Sequence, residues 1–163
     1  MKLRYVSMVA AVALLAACES KPTTSANQAS TSAPAAPAHA AMTVTPGSQA
    51  DFVANVGDRV FFDFDKSNLR PDARATLGKW VAFLKKYPND RLTIEGHCDE
   101  RGTREYNLAL GERRATAVKN FLVAEGVAAA RLKTISYGKE RPAVLGHNEA
   151  AWAQNRRGVG VVQ

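Results

Sequence analysis

Between Val60 and Val162 the spacing of the apolar residues alternates between that of a strand and that of a helix. The run Val60-Phe61-Phe62-Asp63-Phe64 is β-branched and aromatic and reads as a strand, residues 60–64. From 72 to 87, Ala73, Leu77, Trp80 and Leu84 recur at three- and four-residue intervals, which predicts an amphipathic helix. Pro71 suits its first turn, and Pro88-Asn89-Asp90 stops it. Leu92, Ile94 and Gly96 alternate with polar neighbours as a second strand. Leu108, Ala115, Val118 and Leu122 share one face of a second helix, 106–125, ended by Gly126. A third strand (132–137), a short helix (149–154) and a last strand (158–162) follow. The order β-α-β-α-β-(α)-β predicts an α+β fold. It would be one mixed four-stranded sheet with helices on one face and right-handed crossovers between neighbouring strands.

Upstream of residue 51 no such periodicity exists. Residues 19–50 are dominated by Ala, Ser, Thr and Pro, with one acid, Glu19, and one base, Lys21. Such a segment cannot bury enough surface to offset its chain entropy and is expected to be a disordered linker. A linker of this length spans roughly 30 Å as a coil and roughly 110 Å fully extended. Residues 1–17 are different again. Lys2 and Arg4 precede the charge-free, largely apolar stretch 6–17. That is too short to cross about 30 Å of hydrocarbon as a helix, and it fits a secretory signal peptide better than a buried helix. The expected organisation is a signal at 1–17, a linker from Cys18 to 50, and a folded domain at 51–163.

Leu15-Ala16-Ala17-Cys18 resembles the bacterial lipoprotein box. In that family a thiol, the strongest nucleophile among the side chains, receives a diacylglycerol, and the new amine after cleavage is acylated. Each buried CH₂ adds about 0.8 kcal/mol of membrane affinity, so several acyl chains form a lasting anchor. The alternative is a chance cysteine after an ordinary cleavage site. Glu19 is not the aspartate that signals inner-membrane retention in such proteins, which leaves the outer membrane as the expected destination.

At 163 residues the chain excludes a doubly wound two-domain enzyme and a large barrel. Its net charge of +7 favours anionic partners without choosing among them. The bases are interleaved with acids and form no aromatic-rich basic stripe, which argues against nucleic acid. Two cysteines, Cys18 and Cys98, build no disulfide scaffold. An enzyme would have to use His97, Cys98, Asp99, Glu100 or His147. His97 and Cys98 are sequence neighbours whose side chains point to opposite faces of a strand. A hydrolytic metal site normally takes about three convergent ligands, and one of only three histidines, His39, lies in the linker. No cofactor beyond the lipid is expected.

The densest polar cluster, Glu95-Gly96-His97-Cys98-Asp99-Glu100-Arg101-Gly102-Thr103, sits between a strand and a helix, a common place for a binding site. This cluster, with Tyr106-Asn107-Leu108 and Leu110-Gly111-Glu112-Arg113-Arg114-Ala115, resembles the peptidoglycan-binding signature of OmpA-like domains. The blocks at 60–66, 136–147 and Asn155-Arg156-Arg157 match in order and spacing, closest to the OmpA-like lipoproteins of the Tol-Pal system. The resemblance covers about residues 60–162.

It implies non-covalent binding of the peptidoglycan stem peptide at meso-diaminopimelate. Asp99 and Arg114 match the family's ligand-binding pair. Phe64 and Asp65 match residues lining the same pocket, and Thr103, Asn107 and Leu110 border it. Such chemistry is sound in itself, because a carboxylate accepts from an ammonium and an arginine fork suits a carboxylate. On the residues alone, Asp99 and Arg114 are equally a structural ion pair closing a loop. The triplet Asn155-Arg156-Arg157 reads as structural support for the pocket. The resemblance further implies partnership with the periplasmic β-propeller TolB and other Tol-Pal components. TolB would compete with the wall for one surface, in an outer-membrane protein, expected to be monomeric, that serves envelope integrity and division. The alternative is a passive wall tether outside that system. Cys98 departs from the family pattern and leaves two readings open, an inert, partly buried thiol or a reactive one beside the ligand.

Overall fold

The computed structural model describes residues 44–163. The signal, the lipidation site Cys18 and most of the linker lie outside the described residues.

The sheet has four strands in the order β1-β4-β2-β3: β1 Arg59–Phe61, β2 Leu92–His97, β3 Leu132–Gly138 and β4 Arg157–Val162. Strand β4 runs antiparallel to both β1 and β2, while β2 and β3 are parallel. The sheet is therefore mixed, as the periodicity predicts. Its strand order carries one correction. Only β2 and β3, joined by helix α3 (Arg104–Ala124), are βαβ neighbours. The C-terminal strand inserts between β1 and β2, a long-range pairing that no local pattern encodes.

Strand β1 is shorter than the five residues its composition suggests. Phe62 still donates its N–H to Arg156 O (2.9 Å), but the chain then turns through Asp63–Lys66. Asp65 takes a positive φ of 55° in that turn. The turn leaves Phe62 buried and Phe64 exposed (55%) on the rim of the site.

Helix α2 (Pro71–Lys86) buries Ala73, Leu77, Trp80, Val81, Phe83 and Leu84. Its C-terminal carbonyls are capped from a distance. Arg131 donates to Leu84 O (3.0 Å), Tyr87 O (2.7 Å) and Asp90 O (2.7 Å), satisfying groups that a helix end leaves unpaired. Helix α3 is capped by Thr103, whose Oγ1 accepts from Tyr106 N–H at 3.2 Å.

A structured segment precedes β1. A single helical turn, α1 (Gln49–Asp51), continues into a wide π turn, Phe52–Val56. Phe52 is fully buried, with ring centroids 5.2 Å from Trp80 and 5.0 Å from Phe83. Gln49 accepts from Val162 N–H through its side-chain oxygen (2.7 Å), so the chain is already pinned to β4 two residues before Asp51.

The core lies between the helices and one sheet face, and glycines set how closely the layers meet. A Cβ at Gly160 would press on Phe52 and Trp80. Gly96 of β2 faces Gly111 of α3, and a Cβ at Gly96 would fall on the Gly111 carbonyl. This contact lets α3 lie directly on the strand that carries the His97–Asp99 segment. We predict that Gly96→Ala destabilises the domain by about 2–3 kcal/mol in urea unfolding, the cost of overpacking a contact with no room to yield. An unchanged midpoint would show that the layers can separate.

Candidate functional site

The site forms where three segments converge: the Asp63–Lys66 turn after β1, the loop 98–103 after β2, and the first turns of α3. Together they enclose a cleft of about 190 Å³ lined by Phe64, Asp65, Cys98, Asp99, Arg101, Gly102, Tyr106, Asn107, Leu110 and Arg114. Six of the seven wall-binding residues implied by sequence line it. Thr103 does not; its hydroxyl is spent as the cap of α3.

Arg114 fixes the convergence. Its guanidinium is fully buried and donates to Lys66 O (Nε, 2.8 Å), His97 O (2.7 Å) and Asp63 O (3.1 Å). It therefore ties α3 to the turn and to the end of β2. Three of its five N–H groups are used this way.

Asp99 and Arg114 form no ion pair with each other among these contacts. Asp99, 4% exposed, is held by Arg101 instead, at 3.2 Å from Nε and 2.6 Å from a terminal nitrogen. The Arg101 backbone N–H also donates to Asp99 Oδ1 (3.1 Å), closing an Asx turn. Arg156 approaches the other oxygen at 3.4 Å from behind. Burial alone would raise the Asp99 pKa. The Arg101 hydrogen bonds, with Arg156, outweigh it and hold the carboxyl below the usual range, so Asp99 is ionised at neutral pH.

Asn107 accounts for the loop's shape, donating to Arg101 O (2.8 Å) and Thr103 O (2.9 Å). Tyr106 donates its hydroxyl to Asp65, joining the two sides of the mouth. Arg101 and Tyr106 are functional candidates that sequence reasoning leaves out, although both stand inside the quoted motif. The signal for Arg101 is its place two residues after Asp99, the spacing of an Asx turn.

The triplet Asn155-Arg156-Arg157, which begins at the last residue of α4 (Glu149–Asn155), supports the cleft, as expected. Asn155 Oδ1 accepts from Ala143 and Val144 N–H (2.7 and 3.0 Å), bracing the loop 139–147. Arg156 links Phe62 O (3.1 Å), Asp99 and Glu149 (2.6 Å). Cys98 is buried, and its thiol donates to Asn107 O at 3.4 Å. Burial pushes the thiol pKa up, which carries the inert reading.

His97 points away from Cys98, packing 5.5 Å from the Tyr137 ring. It is 2% exposed; Nε2 lies 3.4 Å from Glu95 Oε2, and neither ring nitrogen makes a well-aligned hydrogen bond. Among the described residues no three His, Cys, Asp or Glu side chains converge on a metal-sized site.

A model of the OmpA family matches residues 61–156. The chain belongs to the OmpA family. Within it, the chain is 58% identical over 118 residues to the peptidoglycan-associated lipoprotein of Agrobacterium fabrum, covering 72% of this chain and 67% of that protein. It is 51% identical to that of Mesorhizobium japonicum over 93% of this chain and 88% of the relative. The crystal structure of the peptidoglycan-associated lipoprotein from Burkholderia pseudomallei has 44% identity and a TM-score of 0.65, covering 68% of this chain and 96% of that one. The OmpA-like domain of FopA1 from Francisella tularensis, at 23% identity and a TM-score of 0.54, shares the fold; the match covers 64% of this chain and 72% of that one.

Burial first, and the Arg157 charge second, push the His97 pKa from its ordinary 6.5 down to about 4. As pH falls from 6.5, the unfolded chain takes a proton that the folded domain refuses. Stability is therefore full above pH 6.5 and declines down to about pH 4, by at most about 3 kcal/mol. Urea unfolding at pH 7, 5.5 and 4 measures the decline, and His97→Gln is expected to remove it. An equal decline in both proteins would assign it to other groups.

Proposed function

We propose that this protein is a non-enzymatic, lipid-anchored wall-binding protein. Its cleft grips the meso-diaminopimelate of the peptidoglycan stem peptide. The observation that carries this reading is Asp99, an ionised carboxylate at the floor of a cleft walled by Phe64 and Leu110. Diaminopimelate carries an ammonium and a carboxylate on one carbon. The ammonium meets Asp99 in a partly dry site, where a charge-assisted hydrogen bond is stronger than in water. The carboxylate takes the N–H groups that Arg114 has not spent on carbonyls. Phe64 and Leu110 cover the methylenes between the two ends.

The names of the relatives support the wall as the target. The lipoprotein box at Cys18 supports an anchor in the outer membrane, with the domain in the periplasm. The reading extends to the Tol-Pal system, in which TolB and the wall would compete for this surface as the envelope constricts. The exposed apolar side chains Phe64, Tyr106, Val144 and Leu145, on the rim and the flanking loop, suit such a protein partner.

Co-sedimentation with purified diaminopimelate-containing sacculi tests the core of the proposal. Wild type is expected to pellet. Asp99→Asn, which keeps the shape and removes the charge, should bind about tenfold or more weakly, the loss of one charge-assisted contact. Phe64→Ala should also weaken binding without lowering the melting temperature, since that ring is exposed. Wild type remaining in the supernatant would overturn the reading.

A further inference from the structure

The cleft already holds a cation. The Arg101 fork occupies both oxygens of Asp99, at 3.2 and 2.6 Å. Its guanidinium is stacked between two rings, 3.9 Å from the Phe64 centroid and 4.1 Å from that of Trp152. Arginine suits both roles, because one planar group offers a bidentate fork in its plane and stacking faces on either side. The two arginines at Asp99 are not equivalent. Arg156 is buried and fixed from behind by Phe62 O and Glu149. Arg101 stands on the mouth side, about a third exposed, in a loop followed by Gly102 at φ 91°.

An ammonium entering the cleft therefore meets a carboxylate whose outward positions are taken. Two cations crowded onto one carboxylate repel each other, and only Arg101 is free to leave. We propose that Arg101 is a latch. In the free protein it fills the cation place at Asp99, and the ligand's ammonium must displace it. Trp152 sets how firmly the latch holds; Phe64 stacks on Arg101 in the free protein and on the ligand's methylenes once Arg101 has left, so its net effect is on ligand binding. This rests on the wall-binding reading above and adds a residue that sets affinity by competing with the ligand. A protein whose open, binding-competent state is populated a tenth of the time binds its ligand about tenfold more weakly than one that is always open. The latch also discriminates, since a cation that cannot engage Asp99 as well as the arginine fork does not enter.

The latch predicts an unusual sign: removing a positive residue from the site tightens binding. Full-length protein in detergent is titrated with a soluble meso-diaminopimelate stem peptide by calorimetry, following tryptophan emission in parallel. Trp80 is fully buried in the core, so a change on titration reports Trp152. Arg101→Met, which keeps the stem and removes the charge, is expected to bind about tenfold more tightly. Arg101→Lys, a cation without the fork, should fall between. Wild type should show an emission change as the guanidinium leaves the indole, and Arg101→Met should show little. Thermal melts establish that each variant is folded. Wild type that binds, with both folded variants weaker or unchanged, overturns the latch alone and makes Arg101 a ligand contact or a bystander. Wild type that does not bind the peptide overturns the wall-binding reading and the latch together.

Discussion

One buried guanidinium organises the binding end of this domain. Arg114 reaches from α3 to the Asp63 and Lys66 carbonyls of one turn and to the His97 carbonyl at the end of β2, drawing three segments together. A strand would ordinarily run on past Phe61. Here it turns because the Asp63 and Lys66 carbonyls have a shared donor. The turn then presents Phe64 and Asp65 to the cleft. Losing the guanidinium would leave the buried His97 carbonyl unpaired at a cost of about 1–3 kcal/mol, with the two turn carbonyls loosened as well. A buried cation with carbonyl partners acts as a fixed post. The Gly96–Gly111 contact brings that post close enough to work, since any side chain there would lift α3 off the sheet.

The rest of the site follows as a graded series of restraints. Arg156 is a second buried post, linking Phe62 O, Asp99 and Glu149, and Asn155 braces the loop beside it. Arg131 does similar work at the far end, on the carbonyls after α2. Arg101 is the exception. It stands at the mouth and depends on stacking, on the Asp99 carboxylate and, at 4.0 Å, on that of Glu149. The domain thus pairs two rigid arginines with one displaceable one around Asp99. Preorganised groups lower the ordering cost of binding, and a displaceable group makes that binding tunable.

Much of this architecture is legible in the sequence because it rests on local periodicity. The helices at Pro71–Lys86 and Arg104–Ala124 and the strands at Leu92–His97 and Leu132–Gly138 all follow apolar spacing and turn chemistry, whereas the capping roles of Thr103 and Arg131 do not. The insertion of β4 between β1 and β2 is not local and leaves no such trace. The π turn at Phe52–Val56 is too short for a periodic signal, although it buries Phe52 against Trp80. At the site, the resemblance groups Phe64, Asp65, Asp99, Asn107, Leu110 and Arg114, and these six line one cleft. It does not reveal who pairs with whom. Charge types alone suggest Asp99 with Arg114. Geometry gives Asp99 to Arg101 and Arg114 to the backbone, because the guanidinium lies under the turn.

The central claim is that the stem peptide binds in the cleft that Arg114 organises. A two-dimensional amide NMR titration of the protein with a meso-diaminopimelate stem peptide tests it most directly. The account predicts saturable shifts concentrated at residues 64–66 and 98–103 and in the first turns of α3, with the Arg131 end and the outer sheet face unmoved. Saturable shifts centred on another surface, with residues 64–66 and 98–103 silent, would contradict it.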